Sequence, residues 1–273
     1  MIKKISSSAN PLIREIRALE RKRHRTESGL FIAEGARLAL EAEEVGVRPK
    51  HLLFSPEAFT RPSIRALVER MDAAGVRCIE TTERVLSQIT RRDNAQNVIG
   101  VYRHLDRPLA ELEVRKHGVW VALEQVRDPG NLGTIIRTAD AVGAGGVILV
   151  GETCDPFSFE AVRASMGSIF AVPLAGCELP ELLRWASEGG AQVIGTSLQA
   201  QRHHDRLTPA GGRVRVLLMG NEQAGLTSEA VAACDELLRL PMRGRADSLN
   251  LAVATGVMLY ALWGLDGYRG ARK

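Results

Sequence analysis

The sequence is poor in cysteine, and its four cysteines are widely spaced. The 273 residues contain only Cys78, Cys154, Cys177 and Cys234, with no C-x-x-C pair and no histidine pair at ligand spacing. A zinc site or a disulfide framework would need such spacings. We therefore predict free thiols in a reducing compartment, with neither a metal site nor disulfides.

Long apolar runs are also missing. No stretch reaches the roughly 20 consecutive apolar residues of a membrane-spanning helix. The N-terminal stretch MIKKISSSANPLIREIRALERKRHR has no apolar core of the kind that a secretory signal needs. These features predict a cytoplasmic protein with no membrane partner.

The excess of positive charge is confined to one end of the chain. The net charge is +4, yet residues 106–273 contain 17 Lys and Arg against 19 Asp and Glu. The first 25 residues alone hold 8 basic and 2 acidic side chains, and most of the basic ones are arginine. Arginine forks onto phosphate groups, so this segment favours nucleic-acid binding. A solvated helix face is the alternative.

Apolar periodicity predicts two α/β domains, residues 1–105 and 118–273, joined by a linker at residues 106–117. In the first domain, helices are predicted at Pro11–Arg23, in the stretch ending at Gly46, at Ile64–Ala74 and at ERVLSQI, and strands at HLLF, VRCIE and VIGVYRH. In the second, strands are predicted at VWVAL, GVILV, FAVPL, QVIGTSL, RVLLMG and ELLRLPM, and helices at 131–143, near 158–168, at 179–188, at 227–233 and from about Leu249. The nearly continuous apolar strands of the second domain indicate a largely parallel sheet covered on both faces.

Three loops of the second domain follow predicted strands and are rich in glycine and small polar residues. They read RDPGNLGTIIRTAD, LLMGNEQAGL and LPMRGRADSLNLAVATG. Ligands of open α/β sheets bind beyond the carboxyl ends of the strands, so we expect the loops to converge. Taken singly, each loop also fits a plain structural interpretation: Asn131 as a helix cap, Glu222 as an exposed turn residue, and Ser248 as a helix cap. The first loop lacks G-x-G-x-x-G and G-x-x-x-x-G-K-[ST], which argues against a nicotinamide-linked oxidoreductase.

Together, the three loops resemble the motifs of the SpoU/TrmH family of RNA 2′-O-ribose methyltransferases. NLGTIIRTADAVG, GNEQAGL and LPMRGRADSLNLAVATG occur in the family's order and at its separations. The likeness covers residues 118–273, and the first half is similar to the family's auxiliary RNA substrate-binding domain of L30e-like fold. Two positions depart from the pattern: Gln223 replaces a glycine, and Ala252 replaces a serine.

The resemblance implies an α/β methyltransferase domain whose C-terminal end is tied in a deep trefoil knot, and it implies a homodimer. S-adenosyl-L-methionine is the implied cofactor, and its methyl group is transferred to a ribose 2′-hydroxyl without a metal. The expected substrate is RNA of the 23S ribosomal type; tRNA, or a catalytically weak RNA-binding member of the same fold, are the alternatives. The implied cofactor-binding residues are Thr196, Ser197, Leu198, Gly220, Leu240, Met242, Ser248 and Leu249.

The resemblance also assigns roles near the reacting ribose. Arg137 is expected to bind the adjacent phosphate and stabilise developing negative charge, because arginine stays protonated and makes a poor base. Asn131 is expected to position the ribose or fix its loop, and Glu222 to orient Arg137, Asn131 or loop amides. Ser248 and Asn250 are expected to position the ribose and the knot loop. An arginine on the exposed face of helix 131–143 is the alternative interpretation of Arg137.

Basic residues of the first domain are the expected RNA contacts: Arg14, Arg17, Arg21, Lys22, Arg23, Arg25, Arg91 and Arg92. Aromatic residues make up only 4% of the chain, so a stacking platform for single strands is not indicated. Recognition is expected to depend on phosphates and on RNA shape.

Overall fold

The computed structural model describes residues 2–91, 96–116, 118–209 and 211–271. The chain divides into two compact units. Unit 1 comprises Met1–His104 and Asp155–Ala171, and unit 2 comprises Leu105–Cys154 and Val172–Lys273.

Strands and helices alternate in both units and are numbered in chain order. The strands are β1 (Lys3–Ile5), β2 (Leu30–Glu34), β3 (His51–Phe54), β4 (Arg77–Thr81), β5 (Val98–Arg103), β6 (Val119–Glu124), β7 (Val147–Val150), β8 (Leu174–Cys177), β9 (Gln192–Thr196), β10 (Arg202–His203), β11 (Arg215–Met219) and β12 (Glu236–Arg239). The α-helices are α1 (Pro11–Ala18), α2 (Lys22–Ser28), α3 (Ala36–Glu44), α4 (Pro56–Phe59), α5 (Pro62–Ala73), α6 (Glu83–Thr90), α7 (Pro129–Ala141), α8 (Phe159–Ala164), α9 (Leu179–Glu188), α10 (Ser228–Ala233) and α11 (Leu251–Leu265). The short elements β1, β2, β10 and α4 were not predicted from the sequence.

Unit 1 is built on a five-stranded mixed sheet in the order β1-β4-β3-β5-β2. β1, β4 and β3 are parallel, and β5 is antiparallel to both β3 and β2. Successive strand residues point to opposite faces. Leu53 of β3 therefore packs with Ile13 of α1 and Leu86 of α6, whereas Leu52 packs with Leu67 of α5. Both faces of the sheet are covered by helices.

Unit 2 is built on a seven-stranded sheet in the order β10-β12-β9-β11-β6-β7-β8. Every neighbouring pair is parallel, which confirms the predicted parallel sheet. β7 and β11 are buried at every residue, and apart from Arg215 at the start of β11 these residues are all apolar. Because the strands are parallel, the loops that follow β6, β9, β11 and β12 leave from one edge of the sheet.

The single helix predicted at Pro11–Arg23 is wrong, because α1 ends at Ala18 and α2 begins at Lys22. The buried guanidinium of Arg25 donates through Nη1 to the carbonyl oxygens of Leu19 at 2.8 Å and Glu20 at 2.7 Å. In a continuing helix, main-chain amides would donate to these two carbonyls. Here Arg25 donates to them instead, and the chain turns before α2 begins.

Residues 106–117, predicted to be a linker, include part of the core of unit 2. Leu109, Leu112 and Val114 are buried in the same apolar cluster as Trp120. The Trp120 indole donates to the Val114 carbonyl at 2.9 Å, and the Trp185 indole donates to the Leu112 carbonyl at 2.9 Å. The charges and the proline of this stretch suggested a linker, but its apolar residues recur every two to three positions and face inward.

Asp155–Ala171, predicted to belong to the second domain, packs into unit 1. The ring centroids of Phe157 and Phe170 lie 4.9 and 6.1 Å from that of Phe31. The predicted strand FAVPL is therefore wrong. Phe170, the first residue of FAVPL, is the last residue of a 3-10 turn. Strand β8 begins only at Leu174, after Pro173, which has no N–H to donate to a neighbouring strand.

Candidate active site and nucleic-acid interface

The carboxylate of Glu222 joins the loop after β11 to the loop after β6. Its Oε2 accepts a hydrogen bond from the Arg127 amide at 3.2 Å, and its Oε1 accepts one from the Asp128 amide at 3.1 Å. The Asn131 side-chain amide donates to the same Oε1 at 3.3 Å. Glu222 therefore fixes the start of α7, as expected for a residue that orients Asn131 and loop amides.

Asn250 brings in the third motif loop. Its Nδ2 donates to Oδ1 of Asn131 at 2.9 Å. Its own Oδ1 accepts from the amides of Ala252 at 2.9 Å and Val253 at 3.3 Å, which makes Asn250 the N-cap of α11. One chain of hydrogen bonds, Glu222–Asn131–Asn250, thus links all three motif loops.

The plain helix-cap interpretations of Asn131 and Ser248 are wrong. Asp128 caps α7, accepting from the Asn131 main-chain amide at 2.6 Å, and Asn250 caps α11. Ser248 is exposed and bonds to the carboxylate of Asp247 at 3.2 Å. Because Asp128 serves as the cap, the side chain of Asn131 is left for the contacts between the loops.

The electrostatic state of Glu222 follows from these contacts. Partial burial raises the pKa of its carboxyl, but the main-chain amides of Glu222, Asp128 and Arg127 and the Asn131 side chain act in the opposite direction. The net result is a pKa below the ordinary value of 4.5. Glu222 is therefore a charged anchor for amide donors at neutral pH.

The loop of Glu222 is held in a tight turn. A Cβ on Gly220 would lie 2.1 Å from the main-chain carbon of Gly225, so only glycine fits there. Asn221 donates to the Gln125 carbonyl at 2.8 Å and accepts from the Gln223 amide at 2.9 Å. Gln223 does not have a positive φ, so its position, which departs from the family pattern, does not require glycine.

Glu124, at the end of β6, is a positioning residue that the sequence did not reveal. It is buried, and its two carboxylate oxygens accept from the Thr227 amide at 2.8 Å and the Thr227 hydroxyl at 2.7 Å. Thr227 is in turn the N-cap of α10. The Glu222 loop is thus fixed at both ends. The available signal was an acidic residue at the end of the apolar run VWVALE.

Arg137 lies on the exposed surface of α7, six residues after Asn131. Among the residues that the structure describes, its guanidinium has no hydrogen bond or ion pair to a side chain. The structure therefore leaves it accessible to an anion. Among the described residues, Glu222 does not bond to Arg137, although Arg137 was one of the groups that Glu222 was expected to orient.

The residues expected to bind the cofactor lie at the ends of three adjacent strands, β12, β9 and β11. Thr196 ends β9 and donates through its hydroxyl to the sulfur of Met219 at 3.4 Å, and Ser197 donates its amide to the Leu238 carbonyl at 2.9 Å. Leu198 and Leu249 are 59% and 40% exposed. Exposed apolar side chains of this kind suit the apolar adenine face of S-adenosylmethionine. Gly220, Leu240, Met242 and Ser248 belong to the same loops.

Seven of the eight predicted RNA contacts of unit 1 fall into three groups. Arg14, Arg17, Arg21 and Arg91 line one cavity, in which Arg91 pairs with Glu20 at 2.8 Å. Lys22 and Arg23 are exposed, and Arg23 pairs with Glu27 at 2.7 Å. Arg92 lies outside the described residues.

The prediction that Arg25 contacts RNA is wrong. Its side chain is only 6% exposed, and its Nε and Nη2 each lie 2.7 Å from Oδ2 of Asp155. Nη1 is occupied by the two carbonyl oxygens of the α1–α2 turn. Arg25 has a structural role, because its donors are all directed into unit 1.

Within the described ranges, no three His, Cys, Asp or Glu side chains are grouped so that they could hold a metal ion. No helix in those ranges combines the length and apolar character needed to cross a bilayer. The four cysteines, all of them described, form no disulfide with one another.

Comparison with known proteins identifies the class of this fold and site. Residues 118–260 match the SpoU rRNA Methylase family, and residues 10–100 match the MRM3-like substrate binding domain. The first match spans more than half of the chain, so the chain belongs to the SpoU rRNA Methylase family, as its motifs predicted.

Particular relatives are similar over almost the full length. The chain is 31% identical to the 23S rRNA (guanosine(2553)-2'-O)-methyltransferase RlmP of Bacillus subtilis, over 96% of this chain and 100% of the relative. It is 29% identical to a 23S rRNA (uridine(2479)-2'-O)-methyltransferase of Streptomyces viridochromogenes, over 93% and 90% of the two chains. The AdoMet-bound rRNA methyltransferase structure from Sinorhizobium meliloti is 45% identical, with a TM-score of 0.89 over 96% and 98% of the chains. The chain is therefore a methyltransferase that uses S-adenosylmethionine, and both predictions are confirmed.

Proposed function

We propose that this methyltransferase modifies a ribose 2′-hydroxyl of 23S-type ribosomal RNA. The observation that carries the proposal is the hydrogen-bonded chain Glu222–Asn131–Asn250, which gathers all three motif loops at one place. The Bacillus and Streptomyces relatives, named as 23S rRNA 2′-O-methyltransferases, support the RNA class and the acceptor atom. Ribosomal RNA is in turn a reason to place the reaction in the cytoplasm.

The chemistry requires mainly alignment. S-adenosylmethionine, held by the loops after β9, β11 and β12, supplies a methyl group that is already activated on a sulfonium. Holding two reactants in line can supply about 7–11 kcal/mol of barrier reduction. Asn131 is suited to positioning the ribose. Its two contacts leave one N–H donor and one lone pair unused, and both bonded neighbours hold its amide plane still.

Arg137 supplies the positive charge. Its exposed guanidinium fits the phosphate beside the target ribose, where it favours negative charge that develops on the attacking oxygen. Glu222 keeps Asn131 and the amides of Arg127 and Asp128 in place. Asn250 fixes the start of α11 beside Asn131, and Ser248 lies exposed in the preceding loop for contact with the ribose.

A homodimer would cover an apolar stripe on α11. Val253, Val257 and Tyr260 lie at i, i+4 and i+7 and are 52%, 40% and 45% exposed. The helix LAVATGVMLYALWGL has no charged residue, and a helix that is apolar all round is normally buried. A second copy is the occupant we propose, because the stripe begins at the first turn after Asn250 and would place the partner next to the site.

The dimer is tested by light scattering on wild type and Val257→Asp. We expect a mass of two chains for wild type and of one chain for the variant, because a buried aspartate without a partner is costly. A dimeric Val257→Asp protein would place the interface elsewhere. Val45→Asp, at an exposed valine of unit 1, is the matched control and should leave the mass unchanged.

A C-terminal knot is part of the same proposal. The chain leaves the sheet at β12, beyond β9, and then returns to pack α11 against α7 beside β6 and β11. A chain end that is threaded through a knot would return in this way past strands that precede it in the sequence.

The proposed function is tested with methyl-labelled S-adenosylmethionine and unmodified 23S rRNA or tRNA, followed by alkaline hydrolysis. A 2′-O-methyl group blocks cleavage at its own phosphodiester, so we expect label in an alkali-resistant dinucleotide from 23S rRNA. Label in mononucleotides would mean base methylation and would overturn the ribose assignment. Label from tRNA alone would favour the alternative substrate, and no label with either RNA would favour a weak RNA-binding member. Arg137→Ala is the control for label that does not depend on the site.

A further inference from the structure

The proposed reaction releases a proton, because the 2′-hydroxyl loses its hydrogen when its oxygen is methylated. A positioned base that takes this proton should accelerate the transfer. Arg137 stays protonated and offers no lone pair for the purpose. The three motif loops contain no histidine, lysine, cysteine or tyrosine. The candidate acceptors in these loops are therefore their four acidic residues, Asp128, Asp140, Glu222 and Asp247.

Two of these carboxylates are already occupied by main-chain donors. Glu222 accepts from the amides of Arg127 and Asp128. Burial raises the pKa of Glu222, but its amide donors outweigh this and hold the pKa below 4.5, which makes it a weak base. Asp128 accepts from the Asn131 amide at 2.6 Å as the N-cap of α7, and uptake of a proton would weaken that cap.

The position of Asp140 excludes it as the acceptor. It lies on α7 about two and a half turns beyond Asn131, which is about 14 Å along the helix axis and on the opposite face. A ribose held at Asn131 is out of its reach. Asp247 differs from the other three. It is exposed, and among the described residues its carboxylate accepts a hydrogen bond only from the Ser248 hydroxyl, at 3.2 Å.

The loop that carries Asp247 and Ser248 lies beside the proposed ribose position. Asn250 of the same loop donates to Asn131 at 2.9 Å. Ser248 precedes Asn250 by two residues, so their Cα atoms are at most about 7 Å apart. The expected cofactor residues Leu240 and Met242 also belong to this loop. Ser248 is therefore within reach of a ribose that is held at Asn131 next to the methyl donor.

The direction of the hydrogen bond between Ser248 and Asp247 suits proton removal. A serine hydroxyl has one proton to donate and two lone pairs that accept. Because the Ser248 proton points to Asp247, its Oγ can only accept from a further partner. Both side chains are exposed, so a substrate hydroxyl can approach that oxygen. Hydrogen bonds of catalytic groups are often long before the substrate binds, as this one is.

We propose that Ser248 takes the proton of the ribose 2′-hydroxyl and passes its own proton to Asp247. As the 2′-oxygen forms its bond to the methyl carbon, the bond from sulfur to that carbon breaks, and the sulfur keeps the electron pair as a thioether. The hydroxyl proton moves to Oγ of Ser248, the serine proton moves to Oδ1 of Asp247, and Asp247 later releases it to water. Ser248 is the catalytic residue of this relay, and Asp247 positions it. The inference rests on the proposed function and supplies the base that Arg137 cannot be.

The test measures single-turnover methyl transfer to unmodified 23S rRNA as a function of pH, with wild type and Asp247→Asn. A carboxylate is ionised throughout the range from about pH 6.5 to 8.5, so the wild-type rate should stay constant across it. The asparagine amide is not a base, and transfer by the variant should depend on hydroxide. Its rate should then rise about tenfold for each pH unit. A role of Asp247 in holding the loop alone would lower the rate by one factor at every pH.

Further variants separate the relay from the fold of the loop. Ser248→Ala should show the same dependence on pH, and the double variant should be no slower than the slower single variant, because the two residues act as a unit. The dissociation constants of Asp247→Asn for S-adenosylmethionine and for 23S rRNA should equal those of wild type. Asp205→Asn, at an exposed aspartate outside the motif loops, is the matched control and should keep the wild-type rate at every pH.

Chemical rescue provides a second measurement. Asp247→Ala leaves room at the loop surface for a small carboxylate. Formate should raise the rate of this variant several-fold, whereas chloride at the same ionic strength should not. Asp247→Asn, whose side chain fills the space, should not respond to formate.

Three outcomes would overturn the inference. They are an Asp247→Asn rate that does not rise with pH, a rise with pH in Asp128→Asn instead of Asp247→Asn, and equal responses of Asp247→Ala and Asp247→Asn to formate. If wild type gives the alkali-resistant label and one of these outcomes is found, only the relay fails. Label in mononucleotides, or no label, from wild type would contradict the proposed function and the relay with it.

Discussion

Polar side chains at the candidate sites of the two units differ in how many of their hydrogen-bonding groups have partners. In unit 2, Glu222 is at the surface, yet its carboxylate accepts from two main-chain amides and from Asn131, which is itself bonded to Asn250. In unit 1, the arginines that line the cavity have few described partners. Transfer of one methyl group requires atoms fixed to a fraction of an ångström, whereas holding a charged polymer requires donors that remain available. This difference supports the proposal that unit 2 carries out the chemistry and that unit 1 binds RNA.

Arg25 of unit 1 is buried and has a partner for each of its donor groups, and its removal should have the largest effect on stability. Arg25→Ala leaves Oδ2 of Asp155 and the carbonyls of Leu19 and Glu20 without the donors that Arg25 supplies. Loss of one partner of a buried pair costs about 3–5 kcal/mol. We expect that decrease in the free energy of unfolding, measured by urea denaturation.

Arg23→Ala is the control, since Arg23 is an exposed arginine two positions away whose pair with Glu27 is on the surface. It should leave the urea midpoint unchanged. Equal midpoints for Arg25→Ala and wild type would mean that Arg25 is free to contact RNA after all.

Glu222→Gln should have the largest effect on catalysis. The glutamine keeps the size of the side chain but places an NH₂ group where amide donors of Arg127, Asp128 or Asn131 now point. A small displacement of the reacting groups can lower the rate about 100-fold. We expect kcat to fall by about that factor while the dissociation constant for 23S rRNA changes little, because we propose that most of the RNA contacts are made by unit 1.

A parallel fall in RNA affinity for Glu222→Gln would contradict the division of roles between the units. Glu229→Gln, an acidic residue in the first turn of α10, is the matched control and should keep wild-type kcat.

The sequence predicted the convergence of the three loops because parallel strands end at one edge of a sheet, a rule that needs no side-chain detail. It did not predict which side chains make the contacts. Asp128 and Asn131 are both good cap residues, and only the position of Glu222, 91 residues from Asn131, decides which one is left for the site. Arg25 was misassigned for the same reason, because its partner Asp155 is 130 residues away. Local sequence patterns predict the helices and strands, whereas the contacts of a polar side chain depend on partners that are distant in the sequence.

The contact between Glu124 and Thr227 should give a smaller, measurable coupling. Hydrogen bonds to a charged group contribute about 1.5–3 kcal/mol. We expect a double-mutant cycle of Glu124→Gln and Thr227→Val, followed by urea unfolding, to give a coupling energy toward the lower end of that range. Additive effects of the two substitutions would mean that the Glu222 loop is held at its Asn221 end alone.

The smallest effect expected is the pH dependence of the Glu222 network. Partial burial raises the pKa of Glu222, and the four amide donors more than offset this, so the folded pKa lies below 4.5. A carboxyl with a lowered folded pKa contributes stability that is present above its unfolded pKa and is lost as the pH falls through the folded value. The stability difference between wild type and Glu222→Gln should therefore be constant from about pH 6 to 8 and should shrink below pH 4.5. Urea unfolding of both proteins across this range measures it. A difference that disappears already between pH 6 and 8 would mean that Glu222 takes up a proton at neutral pH, and the charged anchor of unit 2 would then be no more fixed than the arginines of unit 1.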